Sequence, residues 1–136
     1  MRLKHLFSVS LILISLVGLS QSTLPFSDLT KNTSGKYIVK STLQVYSGKT
    51  YEKYDNNRVG MTGELKDGKF VGLWTWWYED GAKKRQTNYK DGVKDGYSYW
   101  WYKNGVKRLE IRFVDNRNVE QRRWNKKGKL IPNPKM

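Results

Sequence analysis

Apolar and polar residues alternate along most of the chain after residue 36, and turn-forming dipeptides interrupt this alternation at short intervals. Such alternation is typical of half-buried β-strands, and no stretch between the turns has the roughly 3.6-residue period of a helix. Dipeptides such as Asp-Gly and Asn-Gly favour two-residue hairpin turns, in which both residues have positive φ. The pattern therefore predicts an all-β chain, folded as an antiparallel meander of hairpins. The turn signals fall at residues 56–57, 67–68, 80–81, 91–92, 104–105, 115–116 and 127–128.

The hairpins also repeat in sequence with a period of 24 residues. The Trp-Trp-Tyr triplet at residues 76–78 recurs at residues 100–102, and the glycines around it recur at the same spacing. Outer copies of a repeat array are commonly degenerate, because they cap the stack. We therefore expect stacked β-hairpin repeats in a single twisted sheet that begins with a strand from Tyr37 to Tyr46. The clear copies are residues 67–90 and 91–114, the degenerate copies are residues 43–66 and 115–130, and the repeat domain spans residues 37–136.

Pairing outward from two-residue turns assigns each side chain to one face of the sheet, since neighbours along a strand point to opposite sides. One face collects large apolar side chains, and we expect it to be the core, with the tryptophans at 76, 100 and 124 stacked into a ladder. A single sheet leaves this face open, so the segment at residues 21–46 or a partner is expected to cover it. The predicted core residues are Trp74, Trp76, Tyr89, Trp100, Phe113 and Trp124.

The opposite face mixes aromatic and basic side chains, which suits an acidic protein, a glycan or lipid headgroups. The alternative is an ordinary solvated sheet face, on which aromatics pair across strands and charges prevent edge-to-edge aggregation. The candidate binding residues on this face are Trp77, Lys84, Tyr97, Tyr99, Trp101, Arg108 and Arg112.

The first 20 residues have the pattern of a secretory signal peptide. A basic start precedes an apolar run from Leu6 to Leu19, and Gly18 and Ser20 provide small residues before a cut at Gln21. The alternatives are an uncleaved membrane anchor or a buried helix, although the run is short for a membrane span of about 20 apolar residues. Export would place the protein in the periplasm, the cell envelope or the medium. The polar segment at residues 21–36 has no periodicity and is interpreted as a flexible linker or arm.

The composition excludes several kinds of catalytic and metal site. The chain has no cysteine, and its one histidine, His5, lies in the predicted signal peptide. Without these residues a mature chain lacks the groups of a Ser-His-Asp triad or an ordinary structural zinc site. Three glutamates, at positions 64, 79 and 110, are the remaining candidates for a glycosidase-like pair of carboxylates. Their positions in the repeat do not place them around a common cleft. We therefore expect no enzyme activity, no metal and no cofactor.

The charge balance points to acidic partners. The net charge is +14 for the whole chain, and +12 without residues 1–20, which hold Arg2 and Lys4 and no acid. Such a charge favours anionic lipid, acidic glycans, acidic proteins or nucleic acid, although it also serves solubility alone. Export disfavours nucleic acid as a partner.

Residues 67–114 resemble the MORN-repeat variant family, in particular bacterial antitoxin-type MORN proteins. The resemblance is carried by residues 72–81, with the sequence GLWTWWYEDG, and by residues 100–105, with the sequence WWYKNG. It implies a β-hairpin array used as an interaction or scaffold surface. The expected function is that of an exported protein-interaction module, for which oligomerisation is open. The alternative is a basic module that attaches to anionic lipid or acidic polysaccharide.

Overall fold

A computed structural model describes residues 23–133 of the chain. These residues are all-β apart from one 3₁₀ turn, and most of them form an open sheet of antiparallel hairpins, as predicted. The predicted signal peptide at residues 1–20 lies outside the described residues. The strands are β1 (Thr23–Pro25), β2 (Leu29–Lys31), β3 (Tyr37–Val39), β4 (Gly48–Lys53), β5 (Val59–Lys66), β6 (Lys69–Trp77), β7 (Lys83–Lys90), β8 (Val93–Trp101), β9 (Lys107–Val114), β10 (Arg117–Trp124) and β11 (Leu130–Ile131), and the 3₁₀ turn is Phe26–Asp28.

The main sheet has nine strands, and β4 to β11 follow one another in chain order, each antiparallel to the next. At the other edge, β1 is parallel to β4. Strands β2 and β3 form a separate two-stranded sheet. The expectation of one single sheet is therefore incomplete, because the N-terminal segment contributes a parallel edge strand and a second small sheet.

The described part of the predicted arm is regular structure and packs on the sheet. Leu29 of β2 is only 6% exposed and belongs to the core, and Phe26 of the 3₁₀ turn makes an edge-on contact with Trp74. Apolar burial of this kind is what orders a segment whose own composition is polar. The predicted strand at residues 37–46 is also wrong in extent: β3 ends at Val39, and the chain turns back so that Ile38 bridges to Val45.

Trp74 lies at the centre of the core and is fully buried. Its ring stacks on Phe70 with 3.7 Å between the centroids, and its indole nitrogen donates a hydrogen bond to the Glu64 carbonyl at 3.2 Å. The ring covers Gly63 so closely that an added Cβ would come within 2.1 Å of it. A glycine on β5 thus makes room for the largest side chain of the core.

The hairpins use two kinds of turn, where the sequence predicts one. At residues 67–68, 91–92 and 115–116 both central residues have positive φ, as in the predicted type I′ turn. At Gly81 and Gly105 only the glycine has positive φ, and its amide donates to a carbonyl three residues earlier. This second kind is a three-residue loop with a glycine bulge. Each such loop is followed by a register shift, between Trp76 and Trp77 and between Trp100 and Trp101.

Successive hairpins are joined by the same hydrogen bond. The hydroxyls of Tyr54, Tyr78 and Tyr102 donate to the backbone carbonyls of Trp77, Trp101 and Trp124, at 2.8, 2.8 and 3.0 Å. Tyr78 and Tyr102 precede loops of the second kind, and Tyr54 precedes a similar loop in which Asn57 takes the place of the glycine. Each tyrosine reaches the end of the next hairpin. These bonds hold one end of each hairpin against its neighbour, and so fix the places of the tryptophans at that end of the sheet.

Candidate binding surfaces

The first face of the sheet carries a row of side chains that crosses successive strands. Pairing places Trp76 opposite Arg85, Arg85 opposite Trp100, Trp100 opposite Leu109, and Leu109 opposite Arg123. The tryptophans lie on alternate strands, about 9–10 Å apart at ordinary strand spacing, so they do not stack directly as a ladder. We call this set of five residues the first-face row.

Arg85 fills the gap between the two tryptophans of the first-face row. Its Cζ atom lies 4.1 Å from the ring centroid of Trp76 and 5.5 Å from that of Trp100. Its side chain also donates hydrogen bonds to the hydroxyls of Thr87, at 3.0 Å, and Tyr89, at 3.1 Å. A guanidinium stacks well on aromatic faces, so the predicted tryptophan ladder is replaced by alternating tryptophan and arginine.

Trp124 does not join this row, contrary to the sequence prediction. Arg123 pairs with Leu109 on the first face, so the next residue points to the opposite side. The Lys107 ammonium lies 5.3 Å from the Trp124 ring centroid and 4.8 Å from that of Tyr99, which places Trp124 on the second face. The prediction assumed that β10 repeats the spacing of β8. In β8, the residue in the row is Trp100, seven residues after the first paired residue, Val93. In β10, it is Arg123, only six residues after the first paired residue, Arg117, so Trp124 falls on the other face.

The second face carries a tryptophan–lysine row, formed by Trp77, Lys83, Trp101, Lys107 and Trp124. Trp77 pairs with Lys83, and Trp101 pairs with Lys107. The Lys83 ammonium lies 5.2 Å from the Trp101 ring centroid, and the Lys107 ammonium approaches Trp124 as described above. These distances are within cation–π range. The interleaving of aromatics and cations that the sequence predicts is present on this face, but with different lysines.

Lys84 and Arg108 do not occupy the positions predicted for them. Each is the extra residue of a bulge, so the preceding lysine takes its place opposite the tryptophan. The Lys84 ammonium lies 5.6 Å from the Tyr78 ring, and Arg108 lines a cleft with Leu109 on the first face. No sequence signal separates the two turn types here, because Asp-Gly or Asn-Gly occurs in both. Lys83 and Lys107 were missed for this reason.

A tyrosine stripe runs along β8 into the tryptophan–lysine row. Tyr97 stacks on Tyr99 with 5.9 Å between centroids, and Tyr99 meets Trp101 at 5.8 Å. Tyr97 is 41% exposed. Arg112 pairs opposite Tyr97 and is exposed beside it. The structure therefore brings five of the seven predicted binding residues, Trp77, Tyr97, Tyr99, Trp101 and Arg112, onto one face.

The acids of the C-terminal strands also lie on the second face. Glu110 accepts from Lys107 at 2.8 Å and lies 3.8 Å from Arg122, which also pairs with Glu120 at 2.7 Å. These are the salt bridges found among residues 23–133. Because the groups are partly exposed, each pair contributes little to stability, typically below about 1 kcal/mol. Their main effect is to hold Lys107 and Arg122 on this face.

The three glutamates considered for catalysis do not meet. Glu64 lies on β5 and Glu110 on β9, with three strands between them, whereas Glu79 lies in the loop after β6. Four strand spacings amount to about 19 Å, well beyond the roughly 5–9.5 Å between the carboxylates of a glycosidase. Glu64 and Glu110 therefore do not form a glycosidase pair.

One ionisable group in the described part of the chain has a clearly shifted pKa. Burial raises the pKa of the Tyr37 hydroxyl above 10.0, and the nearby hydroxyl of Tyr89 raises it further. Tyr37 stacks on Phe70 with 5.2 Å between centroids. It belongs to the contact between the N-terminal segment and the sheet, away from the second face.

Comparison of the chain with protein-family models, with curated proteins and with solved structures found no match. Within residues 23–133, no helix has the length and apolar composition that a membrane span requires. In the same range, no three acidic or histidine side chains are grouped so that they can hold a metal ion. The candidate function therefore rests on the two sheet faces.

Proposed function

We propose that the chain is an exported, non-enzymatic, MORN-like repeat protein that acts as a protein-interaction or scaffold module in the cell envelope. One observation carries this proposal: the tryptophan–lysine row and the tyrosine stripe share a face of the sheet that the N-terminal segment does not cover. Aromatic anchors ringed by charges are typical of residues that dominate protein interfaces. The likeness to MORN repeats in sequence supports the same use.

The chemistry of this face favours an acidic partner. Three tryptophans and two tyrosines offer large apolar area at low entropic cost, and two lysines are held in place over the rings. Carboxylates of a partner would meet Lys83 directly, whereas Lys107 already has Glu110 as a neighbour. Electrostatic complementarity of this sort speeds association and selects among partners.

The test is a pull-down from envelope extract with the secreted protein as bait. Trp77→Ala combined with Trp101→Ala should abolish capture of a protein that wild type retains at high salt, because both anchors are lost. The control pair is Leu73→Ala with Val119→Ala, two exposed apolar residues outside the row. A folded double tryptophan variant that captures the same protein as well as wild type would refute the proposal. Export itself is tested by N-terminal sequencing of the secreted chain, with a start near Gln21 expected.

A second candidate is attachment of a basic surface to anionic lipid or acidic polysaccharide. Residues 103–133 carry ten basic and three acidic side chains, a net charge of +7, whereas residues 23–102 carry a net charge of only +4. Basic residues close to an anionic surface contribute about 1 kcal/mol each, and salt weakens the effect. Binding to vesicles containing anionic lipid that disappears at high salt would favour this candidate. Binding unaffected by salt would count against it.

A further inference from the structure

A cleft of about 430 Å³ lies at the C-terminal end of the sheet. Leu109 and Arg123 of the first-face row line it, together with Ile131, which pairs with Arg123. Residues 23–46 pack around Trp74, at the other end of the sheet, and do not cover this end. The complete lining is Tyr102, Arg108, Leu109, Gln121, Arg123, Trp124 and Ile131.

Two arginines meet in this cleft without an acid. Neither Arg108 nor Arg123 makes a side-chain hydrogen bond or an ion pair with any residue of the described range 23–133. The reason is the division of charges between the faces, because Glu110 and Glu120 are engaged on the second face by Lys107 and Arg122. Among residues 23–133, the first face therefore keeps two positive charges and no negative one at this end.

The residues that line the cleft favour a ligand that has apolar surface as well as a negative charge. A guanidinium presents a planar fork of donors that matches a carboxylate or a phosphate in two parallel hydrogen bonds. Leu109 and Ile131 add apolar surface, and Tyr102 and Trp124 are the aromatic residues of the lining. The Trp124 ring is also the one that Lys107 approaches from the second face. A free phosphate would use only the arginines. A ligand that combines a carboxylate with a flat, partly apolar ring would use both parts, and the volume is at the lower end of the usual range for small-molecule sites, about 300–1,000 Å³.

We propose that this cleft binds the carboxylate of an acidic sugar of the hexuronic acid type, within a glycan. Arg108 and Arg123 hold the carboxylate, and the apolar and aromatic residues contact the sugar ring. Trp124, the last residue of the tryptophan–lysine row, also lines the cleft, but Trp77 and Trp101 do not, so this site does not depend on those two anchors of the protein-interaction function proposed above.

Calorimetric titration tests the site on protein secreted by cells that express the full chain. The probes are a galacturonic acid trimer, a neutral galactose trimer and inorganic phosphate at one ionic strength. Arg108→Gln with Arg123→Gln should weaken binding of the acidic trimer by about tenfold or more, as expected for lost charge-assisted hydrogen bonds. The control is Lys126→Gln with Lys127→Gln, which removes the same charge from exposed side chains in the adjacent turn. It should change the affinity by less than about twofold, because neither lysine lines the cleft.

The outcomes separate the alternatives. Binding of the acidic trimer that is lost in the arginine pair, kept in the lysine pair and not matched by phosphate or the neutral trimer would support the site. An equal loss in the lysine pair would overturn it, because the attraction would then be diffuse. Phosphate binding as tight as that of the acidic trimer, or no binding of the trimer, would also overturn it. Thermal unfolding of each variant shows whether a loss is due to misfolding, and perturbation of the Trp124 indole resonance by the trimer in wild type gives a second readout that needs no variant.

Discussion

Replacing Gly63 with alanine should destabilise the fold strongly, because Trp74 occupies the space that the new methyl group needs. An ideal Cβ at Gly63 would lie 2.1, 2.3 and 2.4 Å from three atoms of the indole ring. The ring has little freedom to move, since it is fully buried, stacked on Phe70 at 3.7 Å and hydrogen-bonded to the Glu64 carbonyl. The methyl group therefore displaces either the ring or the strand.

The size of the effect follows from two known costs. Overpacking a core costs about 1–3 kcal/mol, and complete loss of a buried tryptophan costs about 3–5 kcal/mol. The cost of displacing a ring that stays buried should lie between these two values. We therefore expect the free energy of unfolding to fall by about 3 kcal/mol. At about 4 °C per kcal/mol for a folded range of this size, residues 23–133, Tm should fall by about 12 °C.

The assay is a double-mutant cycle, followed by thermal and denaturant unfolding. Trp74→Leu alone should also destabilise, but it frees space above residue 63. The double variant should therefore be more stable than the sum of the single effects predicts, by about 1–3 kcal/mol, as found for residues in contact. Gly35→Ala serves as a comparison without steric overlap, because its Cβ would meet nothing within 4 Å, and it should cost less than Gly63→Ala even though its φ of +74° adds backbone strain. Unchanged stability of Gly63→Ala, or strictly additive effects, would show that the ring is not packed as described.

Three further predictions concern the N-terminal segment and the sheet. Leu29→Ala should lower the free energy of unfolding by about 2–4 kcal/mol, whereas Thr30→Ala, at an exposed neighbour, should leave it nearly unchanged; equal effects in chemical denaturation would mean that the segment is not part of the core. Burial raises the pKa of Tyr37 above its value in the unfolded chain, so the folded state keeps a proton that the unfolded state loses, and stability should fall as pH rises above about 10. Tyr37→Phe should flatten this alkaline decline, whereas Tyr97→Phe, at an exposed tyrosine, should not. The Ser98 hydroxyl is buried without a hydrogen-bond partner in the described residues, so Ser98→Ala should raise the free energy of unfolding by about 1 kcal/mol, and a lower Tm in calorimetry would contradict this.

The sequence predicts which residues pair wherever the alternation of apolar and polar side chains determines the register of two strands. The pairs from Gly96 with Phe113 to Trp100 with Leu109 match the sequence prediction, because a slip of one residue would move every apolar side chain of the strand to the other face. The pairing fails at Trp101 and Tyr102, which lie opposite Lys107 and Val106 instead of the predicted Arg108 and Lys107, because Arg108 is the extra residue of a bulge. A bulge of one residue is set by the turn type, and the dipeptide in the turn does not distinguish the two types.

The order of the N-terminal segment was not predictable from its composition. Its residues are mostly polar, with a proline at position 25 and no periodicity. Its place is set by contacts that sequence patterns do not encode: the Thr50 hydroxyl on β4 donates to the Leu24 carbonyl at 2.8 Å, and Phe26 and Leu29 pack on the core. The sequence did predict that something must cover the apolar face, and this segment does so at the N-terminal end.

A single difference in register accounts for both candidate surfaces at the C-terminal end of the sheet. Because β10 reaches the first-face row one residue early, Arg123 stands opposite Leu109, and Trp124 extends the tryptophan–lysine row on the second face. The same shift thus creates the arginine cleft and completes the aromatic row. The two surfaces share Trp124, but neither Trp77 nor Trp101 lines the cleft, so a glycan in the cleft leaves these two tryptophans accessible to a protein. We therefore expect the Arg108 and Arg123 variants to retain the protein partner, and the Trp77 and Trp101 variants to retain the acidic sugar.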